Sequence, residues 1–319
     1  IAAAGDLGQI ELTTAPPTWT LRTAGTANVI FGMSQPPTFS STLWQAGQSG
    51  WLAVSTTAGN LWTQQGAGVT GALLNSISMV DTNGAMSGAF GFAVGSSGTI
   101  VRTSNGGTTW ALDSDSGTVT ASLNSVSCRS TNGCIAVGNT GAVLVFNGTN
   151  WSVDLNGVTR DFNAVTTYQA PLASVRGIAV GDTGVLRTLI ASSWANRPDI
   201  STNNFWGVAH KHDMNGIVIA VGSGGAIYKS TNHGQDFTAR TSGVTAQLEA
   251  VANVTGTATW YAAGANGVAL QSSDDGESWD PLITTTPNTL YSIATGASGA
   301  RVWLGGAAGT TLYSSTYGF

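Results

Sequence analysis

Charge is what this sequence has least of. Only 8% of its 319 residues are Asp, Glu, Lys or Arg, against roughly a quarter in an ordinary soluble domain, and Lys211 and Lys229 are its two lysines. With a net charge of −5 and nine arginines that never cluster, no basic stripe exists to neutralise a phosphate backbone, which excludes nucleic acid as a partner. Long apolar runs are missing as well. Nothing approaches the ~18 consecutive apolar residues of a spanning helix, and no cationic segment followed by an apolar one opens the chain, so no membrane span is expected. The chain begins at Ile1 and not at Met, as a processed form or a fragment would. Helical spacing of apolar residues is absent throughout, which argues against an α-helical core.

Cysteine is almost as scarce. Cys128 and Cys134 stand in Ser-Cys-Arg-Ser-Thr-Asn-Gly-Cys with five residues between them. Facing each other across a hairpin they could form a disulfide, which suits an oxidising compartment or a virion surface; two free thiols in a hairpin is the plainer alternative. Zinc would need a further Cys or His pair that the spacing does not offer.

What the sequence has in abundance is glycine, 43 residues of it, among Ser, Thr, Ala and Asn. Eight Gly-x-x-Gly pairs recur between apolar runs: Gly5/Gly8, Gly47/Gly50, Gly95/Gly98, Gly138/Gly141, Gly181/Gly184, Gly222/Gly225, Gly264/Gly267 and Gly306/Gly309. The steps between them are 42, 48, 43, 43, 41, 42 and 42 residues, a period that means repeated structural units. Each pair reads as a hairpin whose glycines supply the positive φ of a two-residue turn.

Before seven of the eight hairpins lies a five-residue run, apolar at its first and fourth positions, starting at Ile30, Leu74, Leu123, Phe162, Phe205, Leu248 and Leu290. Its small third residue (Gly32, Ser76, Ser125, Ala164, Gly207, Ala250, Ser292) suits a strand crowded against copies of itself around an axis. After each hairpin an aromatic (Trp19, Trp62, Trp110, Trp151, Trp194, Phe237, Trp279) opens a fourth short strand. Four short strands repeated seven times describe an all-β, seven-bladed β-propeller of four-stranded antiparallel blades. First and last strands would close the ring, pairing a strand near Thr18 to Thr23 with those of residues 290 to 315. Residues 1–14 are then an N-terminal extension or extra strands, and 15–319 a single propeller domain. An eighth blade is the alternative, since the hairpins outnumber the first strands by one.

In three units the turn before the aromatic has its own motif. Ser272, Asp274, Gly276 and Trp279 in Ser-Ser-Asp-Asp-Gly-Glu-Ser-Trp resemble the Asp-box of bacterial neuraminidase repeats, and the turns carrying Asn105, Gly107 and Trp110 and carrying Asn232, Gly234 and Phe237 match with Asn for Asp. The resemblance implies a structural role, in which the short polar side chain caps turn N–H groups and the aromatic packs between blades. Together, Ala-Val-Gly-x-x-Gly-x-Ile and Asn-Gly-Gly-Thr-Thr-Trp look most like the photosystem II stability/assembly factor family of propellers, over nearly the full length. That family implies an arginine-rich patch, which these scattered arginines do not make.

Catalysis finds little support. A sialidase needs an arginine triad and a Tyr/Glu pair; of the glutamates, Glu11 lies in the surplus segment and Glu277 in a box turn, leaving Glu249. Paired aspartates of a glycoside hydrolase would have to come from Asp113, Asp115, Asp161, Asp182 or Asp199, all more simply read as solvated turn residues. His210, Lys211, His212 and Asp213 form the densest polar cluster, short of a fourth ligand for a metal. The Gly-x-x-Gly pairs precede strands and not helices, so they are no phosphate loops. No cofactor is expected.

In a propeller the inter-blade loops and the Gly-x-x-Gly turns share one face, where Arg22, Arg160, Asp161, Arg197, Asp199 and Arg240 would anchor a protein partner or act simply as solubility residues. The composition points to a non-enzymatic, surface-exposed structural or recognition module. As a phage virion component it would bind other virion proteins or copies of itself, on a virion or cell surface. The alternatives are an assembly chaperone in a periplasm or thylakoid lumen, and a glycan-binding or glycan-cleaving propeller.

Overall fold

A computed structural model describes residues 2–5, 9–12, 19–36, 38, 41–81, 89–154, 157–169, 175–190, 193–211, 215–296 and 301–314. Seven four-stranded antiparallel sheets follow one another along the chain, a seven-bladed β-propeller with no α-helix among the described residues. Blade 1 comprises Ile30–Ser34, Leu43–Gly47, Leu52–Ser55 and Thr63–Gln65; blade 2 Leu74–Val80, Phe90–Gly95, Ile100–Thr103 and Ala111–Leu112. Blade 3 comprises Leu123–Ser130, Gly133–Gly138, Val143–Phe146 and Trp151–Val153; blade 4 Phe162–Gln169, Val175–Gly181, Leu186–Ile190 and Ser193–Arg197. Blade 5 comprises Phe205–His210, Val218–Gly222, Ile227–Ser230 and Thr238–Arg240; blade 6 Leu248–Asn253, Trp260–Gly264, Ala269–Ser272 and Asp280–Leu282. Blade 7 joins Leu290–Thr295, Val302–Gly306 and Thr310–Ser314 to Thr20–Thr23, so an early strand completes the last blade and closes the ring. Among the described residues Ala2–Gly5 and Gln9–Leu12 pair with each other in a two-stranded sheet outside the seven blades, which replaces the eight-bladed alternative.

The core lies between blades, not within them. Second strands such as Phe90–Gly95 and Gly133–Gly138 are buried from end to end, because each is covered by a blade on either face. Trp44, Trp260 and Trp303 on these strands are completely buried, and truncating such a side chain costs about 3–5 kcal/mol. First strands approach closely enough that only a small residue fits at the third position. A Cβ on Gly32 would come within 2.9 Å of Ile77 N, and one on Gly207 within 3.0 Å of Ala250 Cα. At two serine positions the hydroxyl ties neighbouring first strands: Ser76 Oγ accepts from Val126 N at 3.2 Å, and Ser125 Oγ from Val165 N at 3.2 Å.

The Gly-x-x-Gly hairpins differ from the two-residue turns expected. In blade 2 the register runs from Val94 opposite Ile100, leaving five residues in the connection, with Ser96–Gly98 as a single 3-10 turn. The first glycine, Gly95, is extended at φ −169°, and the positive φ belongs to Ser97 and Gly98. Glycine is needed at 95 for space: a Cβ would run into the carbonyl oxygen of Leu73, just ahead of the blade's own first strand. Ser96 N donates to that same carbonyl at 2.9 Å. The hairpin is thereby strapped to the inter-blade loop, which places both on one face.

Candidate functional site

Every first strand breaks register between its first and third residues, from Ile30/Gly32 in blade 1 to Leu290/Ser292 in blade 7. A bulge of this kind leaves one residue unpaired and re-aims its side chain. Repeated around the ring, it brings Phe31, Asn75, Asn124, Asn163, Trp206, Glu249 and Tyr291 to the lining of a cavity of about 220 Å³ in the central channel. The cavity opens at the Gly-x-x-Gly end, since Asn124 Nδ2 donates to Asn139 Oδ1 (2.7 Å) and Asn163 Nδ2 to Asp182 Oδ1 (2.9 Å), both on Gly-x-x-Gly turns.

The seven residues divide into two arcs. Asn75, Asn124 and Asn163 are tied down, each donating to the carbonyl that starts the next first strand: Leu123 O at 2.9 Å, Phe162 O at 3.0 Å and Phe205 O at 3.1 Å. The other four consecutive blades carry Trp206, Glu249, Tyr291 and Phe31, all half-buried. Phe31 and Tyr291 touch, with ring centroids 5.2 Å apart. Glu249 accepts from Gln247 Nε2 at 2.6 Å. Burial, the larger influence, pushes the Glu249 carboxyl up, against the opposing hydrogen bond of Gln247. Sequence reasoning missed this ring because the second position varies among the repeats. It left Glu249 as the one unassigned glutamate, and only the shared bulge shows where that carboxylate stands.

The channel widens toward the other end into a second cavity of about 410 Å³, lined by Ser78, Asp81, Cys128, Arg129, Thr167, His210 and others. Cys128 and Cys134 lie directly opposite each other in the strand register and are joined as a disulfide. His210 is buried and stacked on Tyr168 (4.1 Å between centroids), with His210 Nε2 3.2 Å from His233 Nδ1. Its sequence neighbours His212 and Asp213 fall outside the described residues, and no group of three potential metal ligands occurs among the described ones.

The six charged residues expected to form a partner surface each make local contacts. Arg160 and Asp199 do meet in a two-pronged pair at 2.7 and 2.8 Å, where the arginine also reaches Thr183. That hydrogen bonding holds the Asp199 carboxyl below its usual range. Asp161 accepts from Thr140 N at 2.7 Å, Arg197 Nε donates to Thr188 Oγ1 at 3.0 Å, and Arg22 lies over the Tyr313 ring at 5.1 Å. Arg240 bonds to Glu277 of the next blade's box turn. Of the other candidate aspartates, Asp115 accepts from Trp151 N at 2.7 Å, latching blade 2 to blade 3. Asp113 is buried, which raises its carboxyl.

The box turns share one hydrogen-bond plan. Ser272 Oγ accepts from Gly276 N (2.8 Å), and Asp274 Oδ1 accepts from Glu277 N and Ser278 N, each at 3.0 Å. Thr103 with Asn105 and Ser230 with Asn232 repeat it, Gly107 N and Gly234 N each donating at 2.9 Å. Trp110 and Trp279 behind the turns are buried, and Phe237 packs at the edge of a core cluster. A fourth copy went unread in the sequence. In Ser55-Thr-Thr57-Ala-Gly59-Asn-Leu61-Trp62, Ser55 Oγ accepts from Gly59 N and Thr57 Oγ1 from Leu61 N, both at 2.9 Å. A threonine hydroxyl does the aspartate's work there.

No family model matches the sequence, and no curated protein matches it either. Among solved structures, "YCF48 bound to D1 peptide" superposes with a TM-score of 0.74 at 17% identity, covering 96% of this chain and 99% of that one. YCF48 from Cyanidioschyzon merolae gives 0.72 at 17% identity, over 93% and 98% of the two chains. The WD40 repeats of RRP9 give 0.72 at 11% identity, over 95% and 100%. At these identities the likeness is one of fold: the chain is similar in architecture to YCF48 and WD40 propellers.

Proposed function

We propose that the protein is a non-catalytic recognition propeller that binds a segment of a protein partner at the channel mouth on its Gly-x-x-Gly face. The observation that carries this reading is the gathering of Trp206, Glu249, Tyr291 and Phe31 on four consecutive blades at one opening. Half-buried aromatic rings beside a concave mouth are the side chains that dominate binding hot spots. Glu249 is the one carboxylate lining this cavity, and a lone carboxylate hydrogen-bonded to an amide lacks the partner that acid–base hydrolysis requires. The Arg160–Asp199 pair and its neighbours on the same face would form the rim.

Of the more specific roles, chaperone-like assembly in a periplasm or lumen gains support from YCF48, solved with D1 peptide bound. The virion reading rests on composition and the surplus N-terminal segment, and the glycan reading on the box-turn resemblance. A random dodecapeptide library panned against the protein tests the recognition reading. Enriched peptides should bind the double variant Trp206→Ala/Tyr291→Ala at least about tenfold more weakly. Unchanged affinity in a folded double variant, or no enrichment, would remove the channel mouth as the binding site.

A further inference from the structure

We infer that the aromatic and acidic arc of the channel mouth is a subsite for one side-chain cation, a lysine ammonium or an arginine guanidinium carried by the partner peptide. This rests on the peptide-recognition reading and gives it a chemistry. Glu249 accepts a hydrogen bond from a neutral amide, Gln247 Nε2, and forms no ion pair among the described residues. A carboxylate drawn partly out of water without a positive partner is costly, and a cation entering the mouth offsets that cost. Burial pushes its carboxyl up, and the hydrogen bond from Gln247 opposes that shift.

The flanking blades supply what a cation prefers next. Trp206 stands on one side of Glu249 in the ring and Tyr291 on the other, with Phe31 packed on Tyr291. The face of an aromatic ring attracts a cation within about 6 Å of its centroid, tryptophan most strongly. The chain already uses this contact elsewhere: Arg102 lies 5.0 Å from Phe90 and Arg187 5.3 Å from Trp194. Size limits the occupant further. About 220 Å³ is below the roughly 300–1,000 Å³ of drug-sized ligand sites and admits one extended side chain. An acidic side chain would meet Glu249, and a purely apolar one would strip its water without replacing it.

The test uses the full chain and capped pentapeptides Gly-Gly-Xaa-Gly-Gly, with Xaa as Arg, Lys, norleucine or Glu, titrated by NMR. Arg and Lys peptides should bind at least about tenfold more tightly than norleucine or Glu peptides, tenfold being 1.4 kcal/mol. Glu249→Gln should abolish that preference, weakening the Arg and Lys peptides and not the norleucine peptide, since a neutral amide costs less to desolvate than a carboxylate. In the unmodified protein, raising salt from about 0.05 to 0.5 M should weaken the Arg peptide and leave the norleucine peptide alone. Equal binding of all four peptides, binding of none, or a preference that survives Glu249→Gln overturns the cation subsite. Library peptides that lose affinity on Trp206→Ala, show no Lys or Arg bias and ignore Glu249→Gln would sink this inference while the recognition reading stands. A library that yields no binder removes both.

Discussion

A methyl group added to Gly95 would lie against the Leu73 carbonyl oxygen and the Leu73–Leu74 backbone, with no flexible side chain to yield. Gly95→Ala should therefore lower stability by about 3 kcal/mol or more, the upper range of overpacking. Gly71→Ala, where the added carbon meets nothing within 4 Å, should stay within about 0.5 kcal/mol in the same denaturant titration. Equal losses would contradict the steric account of the first hairpin glycine. Asp274 makes a second residue-scale case. Desolvation, the largest single influence, pushes its carboxyl up, but hydrogen bonds from Ser278, Ser272 and Glu277 together outweigh it and hold the group at about 2. A folded value below the ordinary 3.8 means the stabilisation is present above that pH and is lost as pH falls toward 2. Asp274→Ala should cost about 1–2 kcal/mol at neutral pH and flatten this acid limb of the stability profile. An unchanged limb would argue against the capping role.

The scarce charges find their use between elements. Both lysines are buried on blade 5, and both reach acids of blade 6: Lys211 bonds Asp275 at 2.7 Å and Lys229 bonds Glu277 at 2.8 Å. Glu277 also receives Arg240, and first that arginine, then Lys229, hold its carboxyl below the usual 4.5. The stabilisation this provides is full above pH 4.5 and fades as pH drops through the lower folded value. Acidification from pH 6 to pH 3 should lower hydrogen-exchange protection, measured against the intrinsic rate at each pH, more at the seam between blades 5 and 6 than between blades 1 and 2. Uniform exchange around the ring would contradict it. Sequence reasoning found the strand starts because the apolar first and fourth positions repeat, and it found three box turns because Asp or Asn stood at the capping position. It missed the turn at Ser55–Trp62, where Thr57 substitutes chemically but not by letter. It also could not pair Lys229 with Glu277 across 48 residues, since nothing in the local pattern of either blade names its neighbour's side chains. The bulge that turns Glu249 and Trp206 into the channel is a backbone event common to all seven repeats, so no difference among them marked it.

At the scale of the whole molecule, seven sheets that bury their faces only against one another depend on closure. Thr20–Thr23 pairs with Thr310–Ser314, and Trp19 beside it is buried in the cluster between blades 6 and 7, edge-on to Tyr261. Removing residues 1–14 should leave the melting temperature within about 2 °C, whereas removal through Thr23 should lower it by more than about 10 °C, beyond what one surface contact accounts for. Equal effects would contradict closure by this strand. The ring that closure secures is what sets four unlike side chains at one opening. A crystal structure of the protein bound to its tightest library-selected peptide tests that arrangement most directly. The account predicts a lysine or arginine side chain in the channel mouth, its nitrogen within about 4 Å of the Glu249 carboxylate and its stem between Trp206 and Tyr291. A peptide bound on the opposite face or along the outer strands, leaving Glu249 facing solvent, would contradict it.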